Sequence, residues 1–322
     1  YDFAMNIHNN VYMETIREVL AIDWIAWEKS PSERFAWALN TYTFEWMMSN
    51  WWALQMATSH ILSQSFMEQF DVSFQNKDWK KDYPFYTSWG VSTRLIWAMI
   101  SSHSDDKWLI IPPKLSEYDA VLLPIYTKDN NEDIEKYIWK IGEILTWNKK
   151  TVSIKWDYFK SQIWNNWKTL IDNRKVRLWE KINDFEISGY PVRIEFWDRD
   201  MDNNNVVIVS RITWKKEIVK LEEIKDTVDN MLKEWQEELL RQSTERLEQD
   251  TIVCYSINEI GEAIKDWKFA LYEWDLNEEF ETEIKDKFSA TIRCIPSEGQ
   301  YTDDLLTLKD KNNVKVIVWR NF

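Results

Sequence analysis

Glycine is the residue type that this sequence most lacks. It has 5 glycines in 322 residues, whereas an average protein of that length has roughly 23, or about 7%. Tryptophan is in excess, at 22 residues. Several tryptophans stand in polar strings typical of tight turns, where glycine supplies a positive φ angle. The clearest strings are Asp78-Trp79-Lys80, Thr213-Trp214-Lys215 and Asp266-Trp267-Lys268.

This imbalance suggests that the source reads the UGA codon as glycine, while the sequence has been translated with UGA as tryptophan. The alternative is a genuinely tryptophan-rich protein, whose tryptophans would fall at periodic core positions, and most of these do not. So many exposed indoles would also favour aggregation. We therefore expect most of the tryptophans to stand in place of glycine.

Cysteine is equally scarce, and long apolar runs are missing. Cys254 and Cys294 form neither a disulfide framework nor a metal-binding CxxC pair, which predicts a reducing, cytoplasmic setting. No apolar run approaches the ~18 residues of a membrane span, and no signal-peptide pattern opens the chain. Basic residues are outnumbered 40 to 54, giving a net charge of −14. The length suggests two or three domains.

The apolar pattern predicts a mixed α/β fold in which the succession of strands and helices changes after Pro112-Pro113. After that pair, strands alternate with helices, which is typical of a small mixed or parallel sheet. The predicted strands are residues 41–44, 53–57, 83–89, 120–125, 169–171, 191–196, 206–209 and 315–320. The predicted helices are residues 11–22, 61–70, 91–102, 132–145, 215–248 and 278–288.

Three strings carry chemistry: QMATSH at residues 55–60, TSWGVSTRLI at residues 87–96, and HSDDK at residues 103–107. The second places small polar residues at a strand-to-helix junction, with Arg94 in the first turn of the helix. Free amides, the helix dipole and a guanidinium together favour an anion such as phosphate. Taken alone, each string is more typical of a capped helix or a capping turn.

Charge is unevenly distributed, with a basic stretch at residues 149–181. Nine basic residues there face three acidic ones, a local charge of +6 in an acidic protein. An ordinary solvated surface is the simpler interpretation, yet a polyanionic partner needs such a basic surface.

In this order, the three strings resemble those of prolyl-tRNA synthetases of the archaeal/eukaryotic-like type, a family of class II aminoacyl-tRNA synthetases. TSWGVSTR is similar to class II motif 3. Residues 33–37, 41–45, 179–186, 189–200 and 290–296 also match family strings, so the resemblance spans nearly the whole chain.

The resemblance implies three domains. Residues 1–115 would be the later half of an antiparallel-sheet catalytic domain, residues 116–225 an α/β anticodon-binding domain, and residues 226–322 a small α/β C-terminal domain. Motifs 1 and 2 would lie upstream of Tyr1, so the chain is expected to be N-terminally truncated and inactive alone.

The resemblance implies the site residues by motif match. ATP would contact Gln55, Thr58, Ser92 and Arg94, with the Arg94 guanidinium on the γ-phosphate. The proline pocket would be lined by His60 and Ser88, with Phe35 as an apolar wall. The anticodon stem would contact Lys181, Glu186 and Arg193. Catalysis would rest on orientation and electrostatic stabilisation.

The implied reaction is ATP-dependent activation of L-proline followed by transfer to proline tRNA. Mg²⁺ would accompany ATP, and the full-length protein would be a homodimer. Some relatives hold a zinc ion with cysteines, which residues 273–279 lack here, so we expect no structural zinc. Two alternatives stay open: a catalytically incomplete tRNA-binding fragment or paralogue, and another synthetase of the subclass, such as the threonyl or histidyl type.

The resemblance bears on the tryptophan excess as well. Family glycines align with ten tryptophans, namely Trp27, Trp37, Trp51, Trp79, Trp97, Trp108, Trp179, Trp197, Trp214 and Trp267. Trp89 aligns with a family tryptophan, so it is expected to be genuine.

Overall fold

The computed structural model describes residues 2–48, 53–127, 131–145, 153–155, 160–164, 167–275, 277–296 and 314–320. Its helices are α1 (Asp2–Asn6), α2 (Ser65–Gln69), α3 (Arg94–His103), α4 (Asn131–Leu145), α5 (Leu178–Ser188), α6 (Asp198–Asp202), α7 (Ile224–Gln249), α8 (Ile257–Lys265) and α9 (Glu278–Phe288). Wider π-helical turns, Ile7–Tyr12 and Glu14–Val19, follow α1.

The strands before residue 200 are β1 (Ile25–Glu28), β2 (Ala38–Met47), β3 (Ala53–Leu62), β4 (Phe74–Gln75), β5 (Lys81–Asp82), β6 (Tyr86–Val91), β7 (Ala120–Pro124), β8 (Ser153–Lys155), β9 (Lys160–Trp164), β10 (Trp167–Ile171) and β11 (Val192–Phe196). The later strands are β12 (Asn205–Ser210), β13 (Lys216–Lys220), β14 (Thr251–Cys254), β15 (Phe269–Trp274), β16 (Ala290–Pro296) and β17 (Val314–Arg320). The predicted mixed α/β class is therefore confirmed.

The described residues fall into two compact units. The first holds the residues up to Glu18, Ile22–Ser102 and those from Gln242 onward, and the second holds Val19–Ala21 and His103–Arg241.

The first unit is built on an eight-stranded sheet in the order β14-β15-β17-β16-β1-β2-β3-β6. All neighbouring strands are antiparallel except β14 and β15, which are parallel. One face of β2 and β3 is covered by the N-terminal helical segment, where Ala4 packs with Tyr42 and Ile61. The His8 ring stacks on Phe44 at 4.4 Å.

The second unit is a seven-stranded sheet in the order β13-β12-β11-β7-β10-β9-β8, with β7 parallel to both β11 and β10. Side chains alternate between its two faces along β7. Ala120 and Leu122 pack against α4 and α7, while Val121 and Leu123 pack against Phe185 of α5. Apolar layers on both faces explain the continuous apolar run of β7.

Two predicted helices begin later than expected. Residues 61 and 62 end strand β3, where Ile61 pairs with Thr87, and α2 begins only at Ser65. The helix predicted over residues 215–248 begins at Ile224, because residues 216–220 form β13 on the edge of the second sheet. Tertiary pairing overrides local helical propensity at both places.

The C-terminal residues do not form a separate sheet. Strand β16 pairs with β1, with Trp27 opposite Pro296, so strands from residues 251–320 and 25–91 share one sheet. The division at residues 115 and 225 into catalytic, anticodon-binding and C-terminal domains stays a prediction, whereas the compact units join the C-terminal strands to the first sheet.

Candidate functional site

One face of the first sheet carries two rows of small and polar residues, and this open face is buried at β2 but exposed at β6. His60 lies opposite Thr41 on β2 and opposite Ser88 on β6. One step along, Thr58 lies opposite Thr43 and Gly90. Directly opposed residues of an antiparallel pair share a face. The structure therefore brings the predicted residues Thr58, His60 and Ser88 together on one surface.

Gln55 reaches the same face through a β-bulge. It is three positions before Thr58, a spacing that would normally put it on the opposite face. The register of β2 and β3 shifts after Phe44, so that Gln55 pairs with Glu45. The Thr43 hydroxyl donates to the Glu45 carboxylate at 3.0 Å, which shows that Glu45 shares the face of Thr43. The extra residue of the bulge thus restores Gln55 to the site.

His60 lies in a half-buried, partly aromatic setting. Its Nδ1 is 3.0 Å from the Thr41 hydroxyl, and the Phe35 ring centroid is 5.0 Å from the imidazole. Burial lowers the pKa of His60, so the neutral ring is favoured. Phe35 itself is 50% exposed. An apolar wall beside a neutral imidazole suits a small, partly apolar ligand, and the predicted Phe35–His60 pair is in contact.

Arg94 opens α3, directly after the turn that carries Ser92. Its amide donates to the Ser92 hydroxyl at 3.3 Å, while the amides of Leu95 and Ile96 donate to carbonyls of that turn. The first-turn amides are therefore already bonded, and our expectation of free amides for an anion was wrong. The exposed Arg94 guanidinium has no hydrogen-bond or ion-pair partner in the part of the chain that the structure describes, so the side chain supplies the anion-binding group.

A buried ionic cluster on the β1 and β2 side of this face escaped the sequence reasoning. The fully buried Glu45 carboxylate accepts from Lys29 Nζ at 2.7 Å and from Arg293 Nη2 at 2.8 Å. Burial acts to raise the pKa of Glu45, but the two cations hold it below its usual value. Lys29 Nζ also donates to the Arg293 carbonyl at 2.6 Å. The cluster ties β1, β2 and β16 together, and no local sequence pattern joins residues so distant along the chain.

Lys181, a predicted tRNA contact, is 1% exposed. Its ammonium donates to the carbonyls of Pro124 at 2.8 Å and Asp172 at 2.9 Å, at the carboxyl ends of β7 and β10. It also lies 5.0 Å from the centre of the Tyr126 ring. Desolvation lowers its pKa to about 8. The structure gives Lys181 a position inside the fold, not the exposed position that direct base contact requires.

Glu186 and Arg193 are brought together, apart from the Lys181 ammonium. Arg193 Nη1 lies 3.5 Å from Glu186, and its Nε donates to Glu195 at 2.6 Å. Arg193 is 4% exposed and its guanidinium packs over the Phe185 ring at 5.5 Å. Its Nη1 is buried and lies in the ion pair with Glu186, so the guanidinium serves partners inside the fold.

Much of the basic stretch at residues 149–181 lies outside the described residues. Lys149 and Lys150 are not described, and the side chains at 155, 160 and 168 are not described either. Among the described members, Arg174 is paired with Asp172 and Asp184, whereas Lys175 and Arg177 are exposed. Whether the +6 stretch occupies one face stays a prediction.

The described residues contain no group of three or more His, Cys, Asp or Glu side chains arranged to hold a metal ion. Burial raises the pKa of Cys254 to about 11 and that of the fully buried Cys294 further, so both are poor thiolate ligands. Within the described residues, every helix is too short or too polar to cross a bilayer.

Comparison with known proteins agrees with this architecture. Residues 119–231 match the family described as "Anticodon binding domain". A proline–tRNA ligase of Porphyromonas gingivalis is 40% identical over 293 residues, 91% of this chain and 56% of the relative. One of Mesomycoplasma hyopneumoniae is 37% identical over 284 residues, 88% of this chain and 56% of the relative.

A solved structure is also similar. The crystal structure of prolyl-tRNA synthetase from Cryptosporidium parvum, complexed with L-proline and AMP, matches with a TM-score of 0.83 and 26% identity. The match covers 100% of this chain and 67% of that one.

The fold and the matched domain define the architecture of a class II aminoacyl-tRNA synthetase with an anticodon-binding domain. Within that class, the resemblance to the prolyl-tRNA synthetases is confirmed over about nine-tenths of the chain. The chain spans 56% of the length of these relatives.

Proposed function

We propose that this chain supplies part of the active site and the anticodon-binding domain of a proline–tRNA ligase. The whole enzyme would join L-proline to ATP as prolyl-adenylate and pass the prolyl group to proline tRNA. The observation that carries the proposal is the open face where Thr58, His60 and Ser88 share two rows, with the unpartnered Arg94 near its end.

The two ends of this face suit different substrates. The Phe35 ring and the neutral His60 imidazole offer an apolar and weakly polar wall for the pyrrolidine ring of proline. The Thr58 hydroxyl and Gln55 amide lie one and two rows further along, toward the position proposed for the adenylate. Arg94 would bind the γ-phosphate, because a guanidinium is a forked and permanently charged phosphate donor.

In the proposed first step, a proline carboxylate oxygen attacks the α-phosphorus of ATP. A new phosphorus–oxygen bond forms, the bond to the β-phosphate breaks, and pyrophosphate leaves with the electron pair. None of the assigned side chains needs to transfer a proton. Their contribution would be positioning and stabilisation of charge, which typically lower a barrier by several kcal/mol together.

Mg²⁺ is proposed only as a companion of ATP. The described residues hold no acidic cluster that would bind an ion by itself, so the phosphates would be its main ligands. The absence of a structural zinc ion, a homodimer at full length and a cytoplasmic location also stay proposals.

For the tRNA, we propose that the Glu186 carboxylate faces the anticodon stem within the matched domain, where an acceptor can read base edges in an unstacked loop. Arg193, which is 4% exposed and has a buried Nη1, would position that carboxylate without contacting the bases itself. Lys181 would not contact the tRNA directly; its buried ammonium would position the strand ends that it bridges.

A chimaera provides the test. The chain would replace the corresponding 56% of the Porphyromonas gingivalis ligase, and proline-dependent ATP–pyrophosphate exchange would be measured. We expect exchange with proline and none with threonine or histidine. The chain alone is expected to show no exchange.

The outcomes separate the alternatives. Exchange with a different amino acid would favour another synthetase of the subclass. A folded chimaera that binds proline tRNA but exchanges no pyrophosphate would favour the catalytically incomplete tRNA-binding protein. Exchange that is unchanged by Arg94→Ala would contradict the assigned ATP site.

A further inference from the structure

The backbone separates the tryptophans into two groups. Nine described residues other than glycine have φ between +20° and +160°, and five of the nine are tryptophan. The five are Trp27 (150°), Trp37 (63°), Trp79 (60°), Trp214 (58°) and Trp267 (59°). The other four include Asp71 and Asn204, types that tolerate this region, whereas for a bulky side chain it is a genuine outlier.

Four of the five occupy turns with specific bonding. Trp79 lies between β4 and β5 and donates its amide to the Asn76 carbonyl at 3.0 Å. Trp214 lies between β12 and β13 and donates to Ser210 at 3.1 Å, and Trp37 lies just before β2. These turns hold the left-handed backbone in place through their own hydrogen bonds.

Trp267 stands at the position where helices most often use glycine. Helix α8 ends at Lys265, and the Trp267 amide donates back to the Ile264 carbonyl at 3.3 Å. The next amide, of Lys268, donates to the Ala263 carbonyl at 2.8 Å. A left-handed residue after a helix, followed by such a returning bond, is the usual setting of a C-terminal glycine.

Burial of the indole does not explain the conformation of Trp79, Trp37 or Trp267, whereas Trp27 is partly buried against the cluster of Ala4, Tyr42 and Ile61. The side chain of Trp79 is 80% exposed, that of Trp37 57% and that of Trp267 37%. By contrast, Trp235 and Trp274 have ordinary φ values and are only 4% and 3% exposed. Trp274 also donates its indole N–H to the Asn277 carbonyl at 3.0 Å. The second group behaves as genuine tryptophans do.

We propose that the five left-handed tryptophans are glycine positions, and that the protein made by its source carries glycine there because its UGA codons encode glycine. The composition suggests a wider exchange, but the backbone identifies these five without reference to any relative. Trp235 and Trp274 are the converse case, where the indole is part of the packing.

Glycine in place of Trp214 would change the surroundings of Arg193. The Trp214 ring lies 4.7 Å from Lys107 Nζ, 4.9 Å from the Arg211 guanidinium carbon and 6.0 Å from that of Arg193. Glycine at position 214 removes a ring that covers three cations. In the glycine form, the three cations lose this aromatic contact, while Arg193 and Arg211 keep the carboxylates of Glu195 and Asp105.

The coding DNA gives the direct test. We expect TGA at all five left-handed positions and TGG at Trp235 and Trp274. A TGG codon at any of the five overturns the proposal, and so does TGA at both buried positions, because the backbone would then not distinguish the groups. Peptide masses of the protein purified from its source give the same answer at the protein level.

A pair of variants tests the physical argument independently. The five-fold Trp→Gly and Trp→Ala variants both remove the indoles, but only glycine removes the Cβ atom that makes positive φ unfavourable. We expect the alanine variant to unfold at a lower midpoint temperature, by roughly 2–4 °C per position.

The control is Trp139, which is 57% exposed on helix α4 with an ordinary φ. At this position the order of stability should reverse, with the Trp139→Gly variant less stable than the Trp139→Ala variant. A glycine variant no more stable than the alanine variant at the five positions would contradict the proposal. Loss of folding in the alanine variant alone would support it.

Discussion

In the first sheet, the candidate site is open, and Arg94 has no partner among the residues that the structure describes. In the second sheet, the cations are buried and engaged: Lys181 is 1%, Arg193 4% and Arg211 0% exposed. A buried charge is costly unless it is paired or hydrogen-bonded, so its partners are part of the fold. A free surface cation costs the fold little and is available to a ligand. Substitution of the free Arg94 should therefore affect function, whereas substitution of the buried cations of the second unit should affect stability.

The largest expected effect is that of Arg211→Ala in the second unit. The Arg211 guanidinium donates to both oxygens of Asp105 at 3.0 and 3.1 Å and to the Trp108 carbonyl at 3.0 Å. Removing it leaves a cavity and takes the donor from Asp105 Oδ2, whereas Asp105 Oδ1 and the Trp108 carbonyl keep backbone donors. We expect the free energy of unfolding to fall by about 3–5 kcal/mol, measured by urea denaturation.

The matched control is Arg241→Ala, which removes the same side chain from a surface ion pair with Glu238. Exposed pairs contribute about 0–1 kcal/mol. Equal losses in the two variants would contradict the distinction between engaged and exposed cations.

Arg94→Ala in the chimaera should have the next largest effect, and on function alone. Loss of a charge-assisted phosphate contact typically costs about 3 kcal/mol, or roughly 100-fold in rate. We expect proline-dependent ATP–pyrophosphate exchange to fall by that factor, while the unfolding midpoint stays within experimental error. A large drop in stability with little loss of exchange would reverse the roles assigned to the two regions.

The family resemblance, and not the local alternation, named Thr58, His60 and Ser88 as site residues. The structure places the three on one face of the sheet, because they pair across neighbouring strands, and their roles stay predictions. The bulge that returns Gln55 to the face was not predictable, since it depends on the register of two strands.

Long-range burial explains the rest of the failures. Glu45 is neutralised by Lys29 and by Arg293, which lies 248 positions away, and no local pattern reveals that pairing. Lys181 was expected at the surface as a tRNA contact, yet the strand ends beside it provide carbonyl partners. Residues 216–220 were predicted to be helical from their local pattern. They form a strand because they pair with β12, and the local pattern does not show that contact.

A smaller effect is expected from pH at Lys181. Desolvation lowers its pKa from the ordinary value of 10.5 to about 8. Between those values the unfolded chain binds more protons than the folded one, so the free energy of unfolding rises with pH across this window. Lys181→Met removes the titration. We expect the stability of the unmodified chain relative to Lys181→Met to increase by about 2–3 kcal/mol from about pH 8 to about pH 10.5.

The experiment is urea denaturation of both proteins at the two pH values. Alkaline titration of tyrosines affects both chains alike and cancels in the difference. A difference that stays constant would show that the ammonium is better solvated than its burial implies. A difference that decreases with pH would contradict the sign derived from desolvation.

The smallest effect concerns the two exposed basic residues near the start of α5. Lys175 and Arg177 have no carboxylate partner in the described part of the chain and belong to the predicted basic stretch. Cations of this kind would contact tRNA phosphates, and each contact adds about one to the slope of log affinity against log salt. Alanine at both positions should weaken tRNA binding several-fold at low salt and reduce that slope by about one to two.

The control, alanine at Lys265 and Lys287, makes the same change of charge on α8 and α9 of the other unit. An equal loss in both double variants would mean that the effect follows net charge, and that the second unit presents no dedicated phosphate-binding surface at these positions.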